Sequence, residues 1–310
     1  MVYYIIHRIL IAIPVILGIL LLTFFIKAAI PTDAVTALYE GQVTEGEAAE
    51  AIANIRAKYH LDKPWYQQFV IYVSDVARGD LGESIRTRQP VMDEIGYRYV
   101  NTLLLTFSAL AIGVSVGVLS GVLAAYYKDT WIDVTATTFS LFGISIPAFF
   151  FGLVLILVFS VWLRWIPVIG SGWQGLILPA FCLGLIEAAP LSRIARSAML
   201  DVLGRDYIRA ARAKGMREST VLFRHALPNA LLAVVTIIGL QVGNLLGGAF
   251  IIEVIFGWHG IGELAVQAIQ WRDFTITQAV ILVGAGTYVL VNLIVDILYA
   301  WIDPRINLGT

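Results

Sequence analysis

The chain has 310 residues, 59% of them hydrophobic and only 14% charged, with a mean hydropathy of +0.81. Soluble globular domains carry about 25% charged residues, so this composition excludes a soluble domain and predicts an all-α, polytopic membrane protein. The formal net charge of −1 names no partner, and the one basic cluster lies between apolar runs without stacking aromatics or zinc-ligand spacing, which excludes nucleic acid.

A membrane helix needs roughly 20 mostly apolar residues. The first such run, Ile9 to Ile30, is too long for a signal-peptide core and has no small-residue cleavage site after it, so it reads as an uncleaved span. Pro14 inside it predicts a kink. Residues 31 to 101 then form a long extracytoplasmic insertion, read as a helical lid or docking platform. "TEGE" at Thr44 to Glu47 fits a capping box and opens a helix to about Tyr59. Pro64 starts a second amphipathic helix through Val70 and Val73, and "GDLG" at Gly79 to Gly82 breaks it.

Five further spans follow: Thr102 to Tyr126, Val134 to Trp162, Leu176 to Ser192, Ala230 to Ile255 and Ala279 to Trp301. Pro147 predicts a kink in the third span, which is long enough to tilt. The tryptophans Trp162, Trp165 and Trp173 suit an interfacial belt. Six spans place both termini on one side. With that side cytoplasmic, the inner segments hold Arg8, Lys128, Arg305 and the cluster Arg193, Arg196, Arg205, Arg209, Arg212, Lys214, Arg217 and Arg224. The short outer loops hold Arg164 and Arg272, with Lys27 at a span end from which it snorkels, so the positive-inside rule gives N-in and C-in. The domain reading is 1–30 for the first span, 31–101 for the insertion, and 102–310 for a five-span core that carries the basic loop 193–229.

Enzymatic signatures are missing. Lys27, Lys58, Lys63, Lys128 and Lys214 are never followed by Ser or Thr, so there is no P-loop lysine, and there is no G-x-S-x-G elbow. His7, His60, His225 and His259 lack zinc-ligand spacing, and Cys182 stands alone in an apolar run. Charges at membrane depth are few: Glu187, Asp296 and Glu253 near the external end of the fifth span. Glu187, with Gln241 and Asn244, is a candidate for a polar translocation path, and hydrogen bonding between helices is the competing reading. Asn292 and Asp296, at i and i+4, suit an interhelical polar clamp. "GNLLGG" at Gly243 to Gly248 reads as a close helix contact rather than a phosphate loop. No internal repeat is visible, and so sparse a set of intramembrane charges argues that the driving energy comes from elsewhere than a chain of ionisable groups.

The stretch "DYIRAARAKG" concentrates charge on an alanine-rich helix. Arg205, Arg209 and Arg212 stack at i, i+4 and i+7, while Ile208 and Ala211 take another side. Gly215 suits a left-handed helix end, and a second short helix from about Glu218 should stop before Pro228. A solvated inner loop or a lipid-attracted patch would need neither bare alanines nor this Gly and Pro placement. A rigid knob seated in a partner's groove would.

At these residues the sequence resembles a known family. "RAARAKG" followed by "HALP" is similar to the EAA motif of ABC importer permeases, with Ala210, Ala211, Gly215, Leu227 and Pro228 in register, Arg209 at the usual Glu and His225 at the usual Ile. Those departures resemble the peptide and nickel branch. The likeness extends through "YHLDKPWYQQF", "GDLGESI", "GISIPAFF", "LLGGAFIIEVIFGWHGIG" and "NLIVDILYAWIDPRI". It implies a type I importer permease in a bacterial inner membrane that works beside a second homologous permease, two cytosolic ATPases and an extracytoplasmic solute-binding protein. ATP and Mg would be used by the ATPases, with no cofactor on this chain. Asp206, Arg209, Ala210, Ala211, Arg212, Lys214, Gly215, His225, Leu227 and Pro228 would couple to an ATPase cleft. Residues 31 to 101 and 257 to 275 would dock the binding protein, and the path would run between the two permeases along spans three to five. The implied solute is a dipeptide or oligopeptide, with glutathione, a nickel chelate or an opine-like solute as alternatives. "PTDA", His259-Gly260 and "RDFT" depart from the family's usual residues on the external side. A self-sufficient carrier or channel, and a membrane scaffold, are the competing classes.

Overall fold

The computed structural model describes residues 2–29, 63–167, 170 and 172–302. The helix expected over Thr44 to Tyr59 lies outside them. All regular elements in the described residues are helical apart from one isolated antiparallel bridge, Glu83 to Pro90.

Helix α1 covers Val2–Ala29 and includes Pro14. Helix α2, Trp65–Ala77, starts after Pro64 as expected and is ended by Gly79, whose φ of 82° few other residues tolerate. Helix α3 covers Val91–Tyr126, with Asp93 and Glu94 in its first turn, where acidic groups oppose the helix dipole. Helices α4, Trp131–Ser145, and α5, Ala148–Leu155, follow, and α5 widens into a π-helical segment over Ile156–Trp162. Next come α6, Trp173–Leu203, and α7, Asp206–Ala213. Helix α8, Glu218–Thr220, passes through a π-helical turn, Val221–Ala226, into α9, Leu227–Gly248. Helices α10, Phe250–Phe256, α11, Ile261–Gln270, and α12, Phe274–Ile302, complete the order.

Among the described residues five helices are long and apolar enough to cross a membrane: Ile6–Phe25, Val91–Tyr126, Trp173–Leu203, Glu218–Gly243 and Phe274–Val295. Two bent pairs, α4 with α5 and α10 with α11, pass only when each is taken together. Several expected boundaries change. The second span's helix begins at Val91, so the domain boundary drawn at Asn101 falls inside α3; apolarity marks the bilayer depth and not the helix length. The third span is not kinked but broken, with a 107° bend between its halves. Pro147 forces Ile146 out of helical geometry, to φ −82° and ψ 126°, and so starts α5 afresh. The fourth span's helix runs on to Leu203 and carries Arg193 and Arg196 with it.

Pro228 does not stop the helix that precedes it. The π-helical turn closes with Leu227 N–H on the Leu222 carbonyl, and Pro228 then occupies the first turn of α9, where a missing donor costs least. Asn229 Nδ2 donates to the His225 carbonyl at 2.7 Å across the same turn. The fifth span also ends earlier than Ile255, at Gly248, and Glu253 belongs to the separate α10.

Contacts divide the described chain into two compact units. The larger holds 2–5, 98–263 and 287–302, and the smaller holds 6–29, 63–97 and 264–286. The larger is built on a seam of small residues. On α3, Gly113, Gly117 and Gly121 recur every four residues on one face. A Cβ on Gly113 would lie 3.0 Å from the Gly184 carbonyl, one on Gly117 2.7 Å from Leu191 Cβ, and one on Gly121 2.7 Å from Ala195 Cβ. Lipid tails are as apolar as Leu, so close backbone packing of this kind, not hydrophobic exclusion, drives helix pairing. Helix α4 joins α6 in the same way, with Gly143 against Ala189, and α5 meets α10 through Gly152 and Phe256. Leu105, Ala109, Leu155, Cys182, Leu183, Ile252 and Phe256 form one buried core around these contacts.

In the smaller unit Asp273, 1% exposed, is the organising residue. Its carboxylate accepts from Ser84 Oγ at 2.6 Å, from Arg86 N–H at 3.2 Å and from Ile276 N–H at 3.2 Å, the last capping α12. The Arg86 guanidinium lies 4.3 Å from the Trp271 ring centre.

The seam makes a direct prediction. Gly121→Ala should destabilise the protein by about 1–3 kcal/mol through overpacking, visible as a lower melting temperature in detergent. Gly18→Ala, with nothing within 4 Å of the added methyl, should leave it unchanged; equal melting of both variants would remove the seam from the account.

Candidate functional site

The basic segment folds as a compact knob. Arg205 is the extended N-cap of α7, Lys214 caps its other end, and Gly215 follows with φ 74°. That left-handed turn is a backbone requirement, because a Cβ on Gly215 would meet nothing within 4 Å. Ile208 and Ala211 are buried together with Val122 and Ala125 of α3, Met199 of α6, and Val221, Leu222, Ala226 and Ala230. Ala211 shares the buried side with Ile208, as their spacing placed them, and anchors the knob to the span ends, while Ala210 and Ala213 stay exposed. Arg209, Ala210, Ala213, Lys214, Gly215 and Arg217 remain exposed.

Arg212 spans the turn. Its Nε and Nη2 donate to the two carboxylate oxygens of Glu218 at 3.1 and 2.6 Å, a fork geometry that joins α7 to α8. These hydrogen bonds raise the Arg212 pKa above its ordinary value. Arg212 is thus paired within the knob while its side chain stays partly open to solvent. Arg209 reaches only Asp206, at 3.4 Å, and both are exposed, a contact worth little. His225 is half-buried, with its Nε2 buried and unpartnered among the described residues. Leu227 is half-buried and Pro228 exposed.

Inside the larger unit, Gln241 Nε2 donates to the Glu187 carbonyl at 3.0 Å and ties α9 to α6. Gln241 is 5% exposed and its Oε1 is buried without a partner among the described residues. Glu187 is half-buried, its Cβ 3.1 Å from where a Gly113 Cβ would stand. The side chains of Asn244 and Asp296 lie outside the described residues, and Asn292 Oδ1 lies 3.5 Å from where a Cβ on Gly243 would stand.

Three features had weaker signals in the sequence. The repeat of glycine at every fourth residue in "GVSVGVLSG" marks the seam. Asp133, 5% exposed, pairs with Arg196 through Nε to Oδ1 at 2.6 Å and Nη2 to Oδ2 at 2.7 Å, fixing the start of α4 to the basic end of α6; the only hint was an acid directly before an apolar run. Glu253, fully buried, accepts from Thr102 Oγ1 at 2.7 Å, Gly262 N–H at 2.7 Å and Glu263 N–H at 3.2 Å, and Thr102 Oγ1 in turn accepts from Ile261 N–H at 2.9 Å. Gly257, at φ 60°, turns the chain, and Gly260 must lack a side chain because a Cβ would strike the Glu253 carboxylate. Trp258 Nε1 donates to the Asn101 carbonyl and Asn101 Nδ2 to the His259 carbonyl, while Glu263 accepts from Arg98 and meets His259 Nδ1 at 2.8 Å. The intramembrane carboxylate is thus an internal cap that holds an elbow to α3.

A groove of about 910 Å³ runs along α3, α4 and α6, lined by Val116, Phe139, Gly143, Ile146 and Ala189. Its walls are apolar, and Glu187 is not among its lining residues.

Removing one partner of a part-buried ion pair leaves the other without its counter-charge. Asp133→Asn should cost about 1–3 kcal/mol, less than for a fully buried pair because Arg196 is partly exposed, and combining Asp133→Leu with Arg196→Met should recover much of it. Chemical or thermal unfolding in detergent reads both; a double variant no better than the single one would contradict the pairing.

Known proteins share this pattern. Residues 117–308 match the family described as binding-protein-dependent transport system inner membrane component, and residues 1–106 match its N-terminal counterpart. The chain is 42% identical over 310 residues to the glutathione transport system permease protein GsiC of Escherichia coli, covering 99% of each. It is 41% identical, with the same coverage, to the protein of that name from Shigella dysenteriae serotype 1. Two solved structures share the fold at 20% identity. An inward-facing form of the MetNI methionine ABC transporter gives a TM-score of 0.58 over 68% of this chain and 97% of that one. An amino acid ABC transporter with histidines gives 0.51 over 69% and 94%.

Proposed function

This chain belongs to the family of binding-protein-dependent transport system inner membrane components, the permease subunits of ABC importers, and from that premise we propose that it admits glutathione or a similar small peptide. A permease of this family is not an enzyme, since ATP hydrolysis lies in separate subunits, and its place is the bacterial inner membrane. The solute reading rests on the full-length similarity to proteins named for glutathione transport. Among the solutes implied by the sequence, it moves glutathione ahead of other peptides.

The site that carries the proposal is the knob of α7, Gly215 and α8. In this reading Arg209, Ala210, Lys214 and Gly215 face an ATPase, Arg212 keeps the knob rigid through Glu218, and Ile208 and Ala211 pass its displacement to α3, α6 and α9. The observation behind it is the burial of Ile208 and Ala211 among the ends of those helices. A knob so anchored cannot be displaced without moving the span ends. Asp206 would face the ATPase beside Arg209, while His225, Leu227 and Pro228 hold the exit of the knob into α9. A second permease would close the path, with Glu187, Gln241 and Asn244 as candidate lining, and a binding protein would dock on the external segments.

Gly215→Trp tests the coupling role. The full chain, purified in mild detergent with the subunits that accompany it, should lose its P-loop ATPases or their solute-stimulated hydrolysis when Gly215 is replaced. The wild type should retain both. Normal ATPase recovery and stimulation in the variant would remove the knob from coupling.

A further inference from the structure

Helix α2 is short, uncharged over Trp65 to Ser74, and leaves its apolar residues uncovered. Val70 is 66% exposed, Trp65 57% and Tyr66 53%, and no residue of the helix is buried. A free helix in water would not normally present such a surface.

Its other side shows where this surface lies. Phe69 meets Phe24 with ring centres 5.4 Å apart, Tyr72 meets the same ring at 6.4 Å, and Trp65 meets Phe25 at 5.9 Å. The Tyr72 hydroxyl is 3.5 Å from that of Thr23. All of these contacts fall on the last residues of the bilayer-length stretch Ile6–Phe25 of α1. Helix α2 is therefore held at the depth where the hydrocarbon core gives way to headgroups, not above it in water. Phe25 and Leu22 of α1 are themselves exposed, and through the Phe25 to Trp65 contact that lipid-facing surface continues onto α2 without a polar break.

The composition matches the depth. Trp and Tyr concentrate at membrane interfaces because their rings are apolar and their edges donate hydrogen bonds. Lys63 and Arg78 bracket the helix at its two ends, where long basic side chains reach phosphate groups. We propose that α2 is an interfacial helix seated in the headgroup and acyl boundary of the outer leaflet, with Trp65, Tyr66 and Val70 in contact with lipid. It would hold the extracytoplasmic insertion at a fixed height on the membrane. The proposal requires only that α1 spans the bilayer with its N-terminus inside, so it stands or falls separately from the coupling role and the solute.

Spin labels test it on the complete complex in nanodiscs of phosphatidylethanolamine and phosphatidylglycerol. Val70→Cys and Arg78→Cys would be made in a Cys182→Ser background and labelled, and collision with oxygen, which partitions into lipid, compared with collision with a water-soluble nickel chelate. The oxygen to nickel ratio at position 70 should exceed that at position 78 several-fold. Equal ratios would place α2 in water and overturn the proposal. A label at 70 shielded from both reagents would overturn it too, by assigning the surface to a partner subunit.

Discussion

Everything in the larger unit depends on how closely α3 and α6 approach. Gly113, Gly117 and Gly121 bring backbone against Gly184, Leu191 and Ala195 at distances that leave no room for a methyl group. In a bilayer this proximity substitutes for the hydrophobic driving force of a soluble core. It also fixes the places from which other contacts start. Gly143 can meet Ala189, Gln241 can reach the Glu187 carbonyl, and Asp133 can find Arg196, because α6 presents one face to α3 and others to α4 and α9.

The seam continues toward the basic segment. Val122 and Ala125, beyond Gly121 on α3, and Met199, beyond Ala195 on α6, form the floor on which Ile208 and Ala211 sit. The knob is therefore not a loop on the surface of a bundle but the end of a closely packed helix pair. Arg212 and Glu218 close the turn from outside, so α7 and the start of the next span move together. At the other end, buried Glu253 fixes the α10 to α11 elbow to Thr102 on the same α3. One helix thus meets both the knob and the elbow, as a transmission element would.

Much of this was legible from residues alone. Apolar length marked the long helices, Gly215 announced its left-handed turn, and the motif register marked the segment that folds as the knob. Helix limits were less legible because hydropathy reports depth: α3 begins with polar turns, and α6 runs on through Arg193 and Arg196. Proline was ambiguous for a physical reason. Pro147 breaks the chain because Ile146 takes an extended conformation, whereas Pro228 is accommodated because a π-helical turn places it where no donor is needed. A small side chain suits an outer contact and an inner packing position equally, so the spacing grouped Ala211 with Ile208 but the fold was needed to show that this side is the buried one. Ion pairs such as Asp133 with Arg196 join residues far apart in sequence, and no local pattern encodes them.

The central claim is that the knob and the span ends move as one body during ATP-driven import. It is tested most directly by locking them together, with Ile208→Cys and Met199→Cys placed in the shared buried cluster, and measuring ATP-driven uptake of the proposed solute, glutathione, by the reconstituted complex before and after disulfide formation. The account predicts that uptake in the oxidised form equals that in the reduced form. Loss of uptake on oxidation, restored by reductant, would show that α7 must hinge against α6 and would contradict it.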